Sequence, residues 1–206
     1  MPKSYIILDI ELDRIKNFFN HVIEESDREI IEIIRDYENS KIEHFDDYNN
    51  ALFFPLGRQE IAIRAVLYEI TAYVEHELQD AASNPWFASR KHKGPKSLVD
   101  LPHITPQSVS KMKSHTDLNF GQIKLLIEDY YKFKIDALPG AKLILEIRNM
   151  VNAFKHTKGL VDFRRKDLSK FFIPEYYKPE KRKAYESIKQ ARKFIISLWK
   201  ATNQEP

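Results

Sequence analysis

Apolar residues recur at intervals of three and four along most of this chain, the spacing that puts them on one face of an α-helix. Over residues 4–25 the positions Ile7, Leu8, Ile15, Phe18, Phe19, Val22 and Ile23 predict a core-facing helix. Ser26, followed three residues later by Glu29, is a capping-box pattern. The chain therefore either starts a second helix there, carrying Ile30, Ile31, Ile33, Ile34 and Tyr37, or continues as one bent helix. Between 39 and 57 the periodicity weakens, and Asn49-Asn50 and Pro55-Leu56-Gly57 read as breakers, although Phe45, Tyr48, Leu52, Phe53 and Phe54 keep the stretch apolar enough to pack. Residues 58–80 then predict a central helix. From 61 to 74 its only charges are Arg64 and Glu69, so it is apolar almost all round.

Residues 81–116 are the least regular, with Pro85, Gly94, Pro95, Pro102 and Pro106 interrupting any long helix. Thr105-Pro106 predicts a cap and first position of a short helix to about Lys113. Trp86, Phe87, Arg90, Lys91, His92, Lys93, Lys96 and His103 mix rings and cations here. They either contact nucleotides by stacking and charge or serve as two aromatic anchors beneath solvated lysines. Asp117 is placed to cap a helix over 118–135, and Leu138-Pro139-Gly140 forms a tight turn that sets it antiparallel to a helix beginning near Ala141. Beyond Gly159 an irregular connection passes through Phe171-Phe172-Ile173-Pro174. Pro179 then opens a last helix to about Ala201, striped by Tyr185, Ile188, Ala191, Ile195, Leu198 and Trp199. The pattern predicts one all-α domain over 1–206, a single helical bundle of five to seven helices with a long irregular loop at 81–116. Residues 58–80 and 141–157 are its expected central pair.

Composition narrows the chemistry. Only 5 glycines in 206 residues fit helices better than sheets, and zero cysteines exclude disulfides, zinc thiolates and cysteine nucleophiles. No stretch approaches the roughly 20 apolar residues of a membrane span, and Asp9, Glu11 and Asp13 stand where a secretory leader needs an apolar run. A cytosolic protein is expected. His76-Glu77-Leu78-Gln79-Asp80 is half of a zinc-protease motif, but Asp80 occupies the place of the second His, so no metal site is predicted. With no glycine-rich phosphate loop and no Gly-x-Ser-x-Gly elbow, no cofactor is expected either. The net charge of +3 conceals an asymmetry: residues 158–193 hold twelve Lys and Arg against five Asp and Glu, leaving 21 basic and 25 acidic residues elsewhere. Such a basic end suits RNA, DNA or an acidic partner protein, or is simply a solvated face.

One stretch carries chemistry. At about 100° per residue, Arg148, Asn152, Lys155 and His156 share an arc about 100° wide. Leu143, Ile147, Met150, Val151 and Phe154 fill the arc beside it. The polar stripe thus borders the core and combines cations and an amide with one group that titrates near neutrality, a set suited to a phosphate. Gly159 is placed to end the helix in a left-handed cap, leaving His156 in the last turn, where the helix dipole favours the protonated imidazole.

Arg148-Asn149, then Asn152-Ala153-Phe154-Lys155-His156 and Gly159, in a small all-helical chain, resemble bacterial members of the HEPN superfamily. These are helical-bundle proteins, often dimeric, many of them metal-independent ribonucleases of toxin–antitoxin and phage-defence systems. Their signature is an Arg, commonly followed by a polar residue, and a His separated from it by four to six residues; this chain departs from that spacing, with seven residues between Arg148 and His156. The resemblance implies that His156 takes the proton of an RNA 2′-hydroxyl while Arg148 and Lys155 stabilise the phosphoryl oxygens and Asn152 orients His156 or holds an oxygen. Asn149, Lys158, Arg164, Arg165 and Lys166 would hold the rest of the nucleic acid. A homodimer, pairing two Arg148/His156 sets around one groove, is expected on the same grounds. Two other readings stay open: a non-catalytic module that binds nucleic acid or a partner protein, and a structural motif in which Arg148 pairs with Glu146 or Glu69.

Overall fold

The computed structural model describes residues 3–90, 114–157 and 180–204, without the side chains of 88–90 and 153–157. Among them the fold is all-α, as the periodicity predicts. The helices are α1 (Tyr5–Glu38), α2 (Phe45–Arg90), α3 (Phe120–Tyr131), α4 (Ala141–Thr157) and α5 (Lys181–Ala201), with short 3₁₀ turns at His115–Asp117 and Ile135–Ala137. No helix of the described residues is long and apolar enough to cross a membrane. The chain forms two compact units, one of Met1–Leu8, Thr71–Leu145 and Lys189–Pro206, the other of Asp9–Ile70 and Glu146–Ile188.

In the first unit Val74, Leu78, Ala82, Trp86, Ile127, Ile144, Phe194, Leu198 and Trp199 are buried. Glu77 lies among them, accepting hydrogen bonds from Trp199 Nε1 at 2.7 Å and Lys3 Nζ at 2.5 Å. Half of the metal-motif pattern is therefore a structural carboxylate. Lys3 also reaches Asp80 at 3.1 Å, and the Tyr5 and Trp199 rings lie 5.8 Å apart. Glu128 is a second buried carboxylate. It accepts the Ile135 backbone N–H at 2.9 Å and Lys134 Nζ at 3.0 Å, tying the Ile135–Ala137 turn to α3. Gly140 precedes α4 at φ +87°, where a Cβ would sit 2.4 Å from the Gln190 carbonyl oxygen, so only glycine fits.

The second unit buries Leu12, Phe19, Ile23, Ala62, Ile63, Val66, Leu67, Ile70, Ile147, Met150, Val151, Ala184 and Ile188. Across the two units the structure settles one choice that the pattern left open and departs from the pattern elsewhere. Ser26 does not cap a second helix: α1 is continuous, and Ser26 is fully buried on the stripe that Phe19 and Ile23 begin. The choice left open by the pattern is settled by that stripe, since breaking the helix would expose it.

The breakers at 55–57 do not break. The helix expected over 58–80 starts at Phe45 and runs through Pro55, Gly57 and Pro85 to Arg90. A helical proline loses one hydrogen bond and costs about 3 kcal/mol. Each large apolar side chain kept in the core contributes about 1.5–3 kcal/mol, and α2 buries many of them between Ala62 and Trp86. Pro55 and Pro85 are themselves buried. Asp46 and Asp47 in the first turn complement the helix dipole, and Tyr48 stacks on Tyr37 with centroids 4.5 Å apart. Near Pro85 the Ser83 hydroxyl donates to the Asp80 carbonyl at 2.8 Å, as serines do beside helix distortions. Nor is the 61–74 stretch buried all round, since Ile61 is 69% exposed and Glu69 faces outward.

A further departure concerns caps. Asp117 belongs to the His115–Asp117 turn, where it closes a capping box with Ser114. Asn119 is the true N-cap of α3, reciprocated by Gln122, and α3 ends at Lys132 in the left-handed conformation rather than at 135. Within the stretch expected to be irregular, residues 81–90 are helical and Trp86 is buried, which makes it an anchor rather than a stacking platform. The helix expected over 106–113, the side chain of Arg90, and Lys91, His92, Lys93, Lys96 and His103 lie outside the described residues.

Candidate functional site

The stripe on α4 grows directly from the helix repeat. Ile147, Met150 and Val151 are 0%, 1% and 0% exposed and anchor one side of α4 to the core of the second unit. Arg148 and Asn152, four residues apart and so one turn apart, lie on the flank of that buried side, and both are half-buried; so is Asn149. The polar groups therefore border the core, as the periodicity predicts. Arg148 and Asn149 each interact with neighbouring groups. Lys155 and His156 belong to α4 by their backbone, but their side chains lie outside the described residues, as do Lys158, Arg164, Arg165 and Lys166 entirely.

Glu146 does not pair with Arg148. It takes Lys183 of α5, whose Nζ lies 2.7 Å from its carboxylate and 3.8 Å from Met150 Sδ. Glu69, the other partner considered for Arg148, is exposed on α2. The α5 cations on this side are thus partly committed to holding helices together. Lys181 donates to Asp27 at 2.7 Å, and Gln59 donates to the same carboxylate oxygen at 2.7 Å. The Lys181 hydrogen bond, assisted by that of Gln59 and by the lysine charge, keeps the Asp27 carboxyl below the ordinary carboxylate range despite partial burial. Tyr185 donates to Asn20 Oδ1 at 2.8 Å and packs edge-on against Phe19 at 4.9 Å. Burial, with Glu24 and Asp27 nearby, pushes its phenol above the usual value.

This Asp27 hub was missed by sequence reasoning because its partners stand 32 and 154 residues away. The only local signal is the position of Asp27 next to Ser26, at the edge of the buried stripe of α1. Two consequences follow for the basic run at 158–193. Lys181 and Lys183 sit in ion pairs. Arg182, Lys189 and Lys193 are exposed and available to meet solvent or a polyanion, and Arg192, exposed beside them, has an interaction of its own.

Chemically, a half-buried guanidinium one turn from a half-buried carboxamide offers forked donors and a reorientable amide, a set that binds a phosphate oxygen well. Among the described residues no group of His, Asp and Glu side chains is arranged to hold a metal ion. No protein-family model, no curated protein and no solved structure matches the chain.

Proposed function

We propose that the chain is a metal-independent endoribonuclease of HEPN type that cuts RNA with the Arg148, Asn152, Lys155 and His156 stripe of α4. The observation that supports this reading is the half-buried Arg148 and Asn152 pair flanking the dry face of Ile147 and Val151. A phosphate held there is partly shielded from water, which strengthens its attraction to the guanidinium. In this reading His156 accepts the proton of the 2′-hydroxyl, and the oxygen so freed attacks the adjacent phosphorus. The bond to the 5′-oxygen breaks and that oxygen takes up a proton, from the His156 imidazolium or from water, giving a 2′,3′-cyclic phosphate and a new 5′-hydroxyl. Arg148 and Lys155 carry the charge that gathers on the phosphoryl oxygens. Asn149, Lys158, Arg164, Arg165 and Lys166 track the flanking backbone. The reading includes a cytosolic setting, a homodimer that shares one RNA groove, and a role in toxin–antitoxin or phage-defence systems.

The test is cleavage of RNA in EDTA by the full chain. Activity with cyclic phosphate ends, lost in His156→Ala and Arg148→Ala at unchanged thermal stability, is expected. Equal cleavage by wild type and both variants marks a contaminant and refutes the assignment. A second reading, a non-catalytic module that binds nucleic acid, has its own support in Lys189, Arg192 and Lys193, three exposed cations at positions i, i+3 and i+4 of α5. It predicts salt-sensitive RNA retention that survives His156→Ala and weakens when Lys189 and Lys193 are replaced by Gln. Absence of retention at low salt would sink it.

A further inference from the structure

Within the second unit α1 and α2 run antiparallel, and three contacts fix their register. Tyr37 stacks on Tyr48, Glu29 pairs with Arg58, and Asp27 accepts the Gln59 amide. Up to Asp27 this hairpin is covered by the first turns of α5, with Lys181 on Asp27 and Tyr185 on Asn20 and Phe19. Because α5 begins at Lys181, its cover ends there. Beyond that level burial nearly stops, and between 28 and 58 only Pro55 is buried. The flank of α1 that meets α5 nevertheless continues. Asn20 and Asp27 are followed on the same arc, about 60° wide, by Ile31, Ile34 and Glu38. On α2, Phe45, Leu52 and Leu56 share a flank with Gln59, which meets Lys181 on one oxygen of Asp27. The groove that α5 enters thus runs on past its end with Ile31 55%, Ile34 36%, Phe45 63% and Leu56 50% exposed. From Asp27 to Glu38 it is about 16 Å long, room for about three turns of helix.

We propose that this open groove takes a basic amphipathic helix of another protein, laid between α1 and α2 as α5 is below it. Two observations select that occupant. The first is α5 itself, which enters the groove with Lys181, Arg182 and Lys183 and sets a lysine on Asp27 and a ring on Phe19. The second is charge. Residues 28–58 hold seven Asp and Glu against four Lys and Arg, a net charge of −3 in a chain of net +3. Glu29 and Asp36 are held by Arg58 and Lys41. Glu32, Glu38, Asp46 and Asp47 are exposed and pair with no cation among the described residues. An apolar strip rimmed by unpaired carboxylates attracts a lysine-rich helix and repels an acidic one or a nucleic-acid backbone. Recognition is of the helix-in-groove kind, in which apolar side chains one turn apart anchor the guest and the rim charges select it. The site stands apart from RNA cleavage, since it uses none of the α4 stripe.

Fluorescence anisotropy with the full chain tests it, using as probe a labelled peptide of about four helical turns built from leucines at helical spacing and lysines elsewhere. Saturable binding in the micromolar range is expected, weaker by roughly tenfold or more when the lysines of the peptide are replaced by glutamates. The double variant Ile31→Gln, Leu56→Gln leaves the net charge alone and should weaken binding roughly tenfold, with an unchanged circular dichroism spectrum because both side chains already face solvent. Glu38→Lys, at an exposed position, should weaken it severalfold, whereas Ile61→Gln, on the opposite side of α2, should leave it unchanged. No binding of the lysine peptide by wild type, equal binding of the glutamate peptide, or equal binding by wild type and the double variant each overturns the proposal. So does a light-scattering mass twice 24.4 kDa that falls to 24.4 kDa in the double variant, which gives the groove to a second copy instead.

Discussion

Replacing Glu77 is the sharpest test of how the first unit is held. Its carboxylate is 7% exposed, and the Lys3 side chain against it is 15% exposed, so the pair is nearly dry. Glu77→Gln keeps the shape and the hydrogen bond to Trp199 Nε1 if the amide oxygen turns toward it, but it removes the charge opposite Lys3. Hydrogen bonds to charged groups contribute about 1.5–3 kcal/mol, and Asp80 still accepts Lys3, so a loss near the lower end of that range is expected. Glu77→Ala additionally orphans the indole N–H and opens a cavity. A buried pair broken from one side costs about 3–5 kcal/mol, a large share of a total stability of about 5–15 kcal/mol. Trp199→Phe removes the indole donor together with part of the buried ring, and in a double-mutant cycle with Glu77→Ala the two should couple by about 1.5–3 kcal/mol. Urea unfolding followed by far-ultraviolet circular dichroism, which does not depend on the tryptophan removed, supplies all four stabilities. If Glu77→Ala lies within about 0.5 kcal/mol of wild type, in the range of an ordinary surface change, the carboxylate is not a keystone and the reasoning fails.

Two further outcomes are expected. Gly140→Ala should lower stability by about 1–3 kcal/mol, since alanine at φ +87° is strained and its Cβ meets the Gln190 backbone; an unchanged or raised thermal midpoint would refute this. Asp27 has a folded-state pKa below its unfolded value, so its contribution is present above the ordinary carboxylate pKa and is lost as pH falls through the lowered one. Asp27→Asn should therefore flatten the acid limb of the stability profile slightly, and the difference should shrink in high salt because the Asp27–Lys181 pair is partly exposed. An acid limb identical in both proteins contradicts the assignment.

The periodicity of apolar residues carried most of the helix placement, because a buried face leaves a repeat that any helix must show. Phe19 and Ile23, then Ile147, Met150 and Val151, are buried as their spacing requires. Punctuation was less legible. Pro55 and Pro85 signal termination only where nothing opposes it, and in α2 the apolar side chains buried between Ala62 and Trp86 outweigh the hydrogen bonds lost at the two prolines. Caps were misassigned by two residues for a similar reason. Asp117 and Asn119 are equally good capping residues on local grounds, and the choice turns on which of them finds a reciprocating side chain: Ser114 claims the aspartate and Gln122 serves the asparagine.

For the candidate site the limit is different in kind. The spacing of Arg148 and Asn152 is a property of one helix and could be read from the repeat alone. Which charges are spent on packing is a property of pairs of helices, and it has no local signature. Lys183 on Glu146 spans 37 residues and Lys181 on Asp27 spans 154. A count of lysines between 158 and 193 treats both as available to a polyanion, whereas each is already held by a carboxylate within hydrogen-bonding distance. Displacing either to bind a phosphate would leave Glu146 or Asp27 facing the incoming anion, and that repulsion offsets much of the gain. The exposed cations Arg182, Lys189 and Lys193 face no such competition among the described residues, so salt-dependent binding should follow them rather than the lysine count.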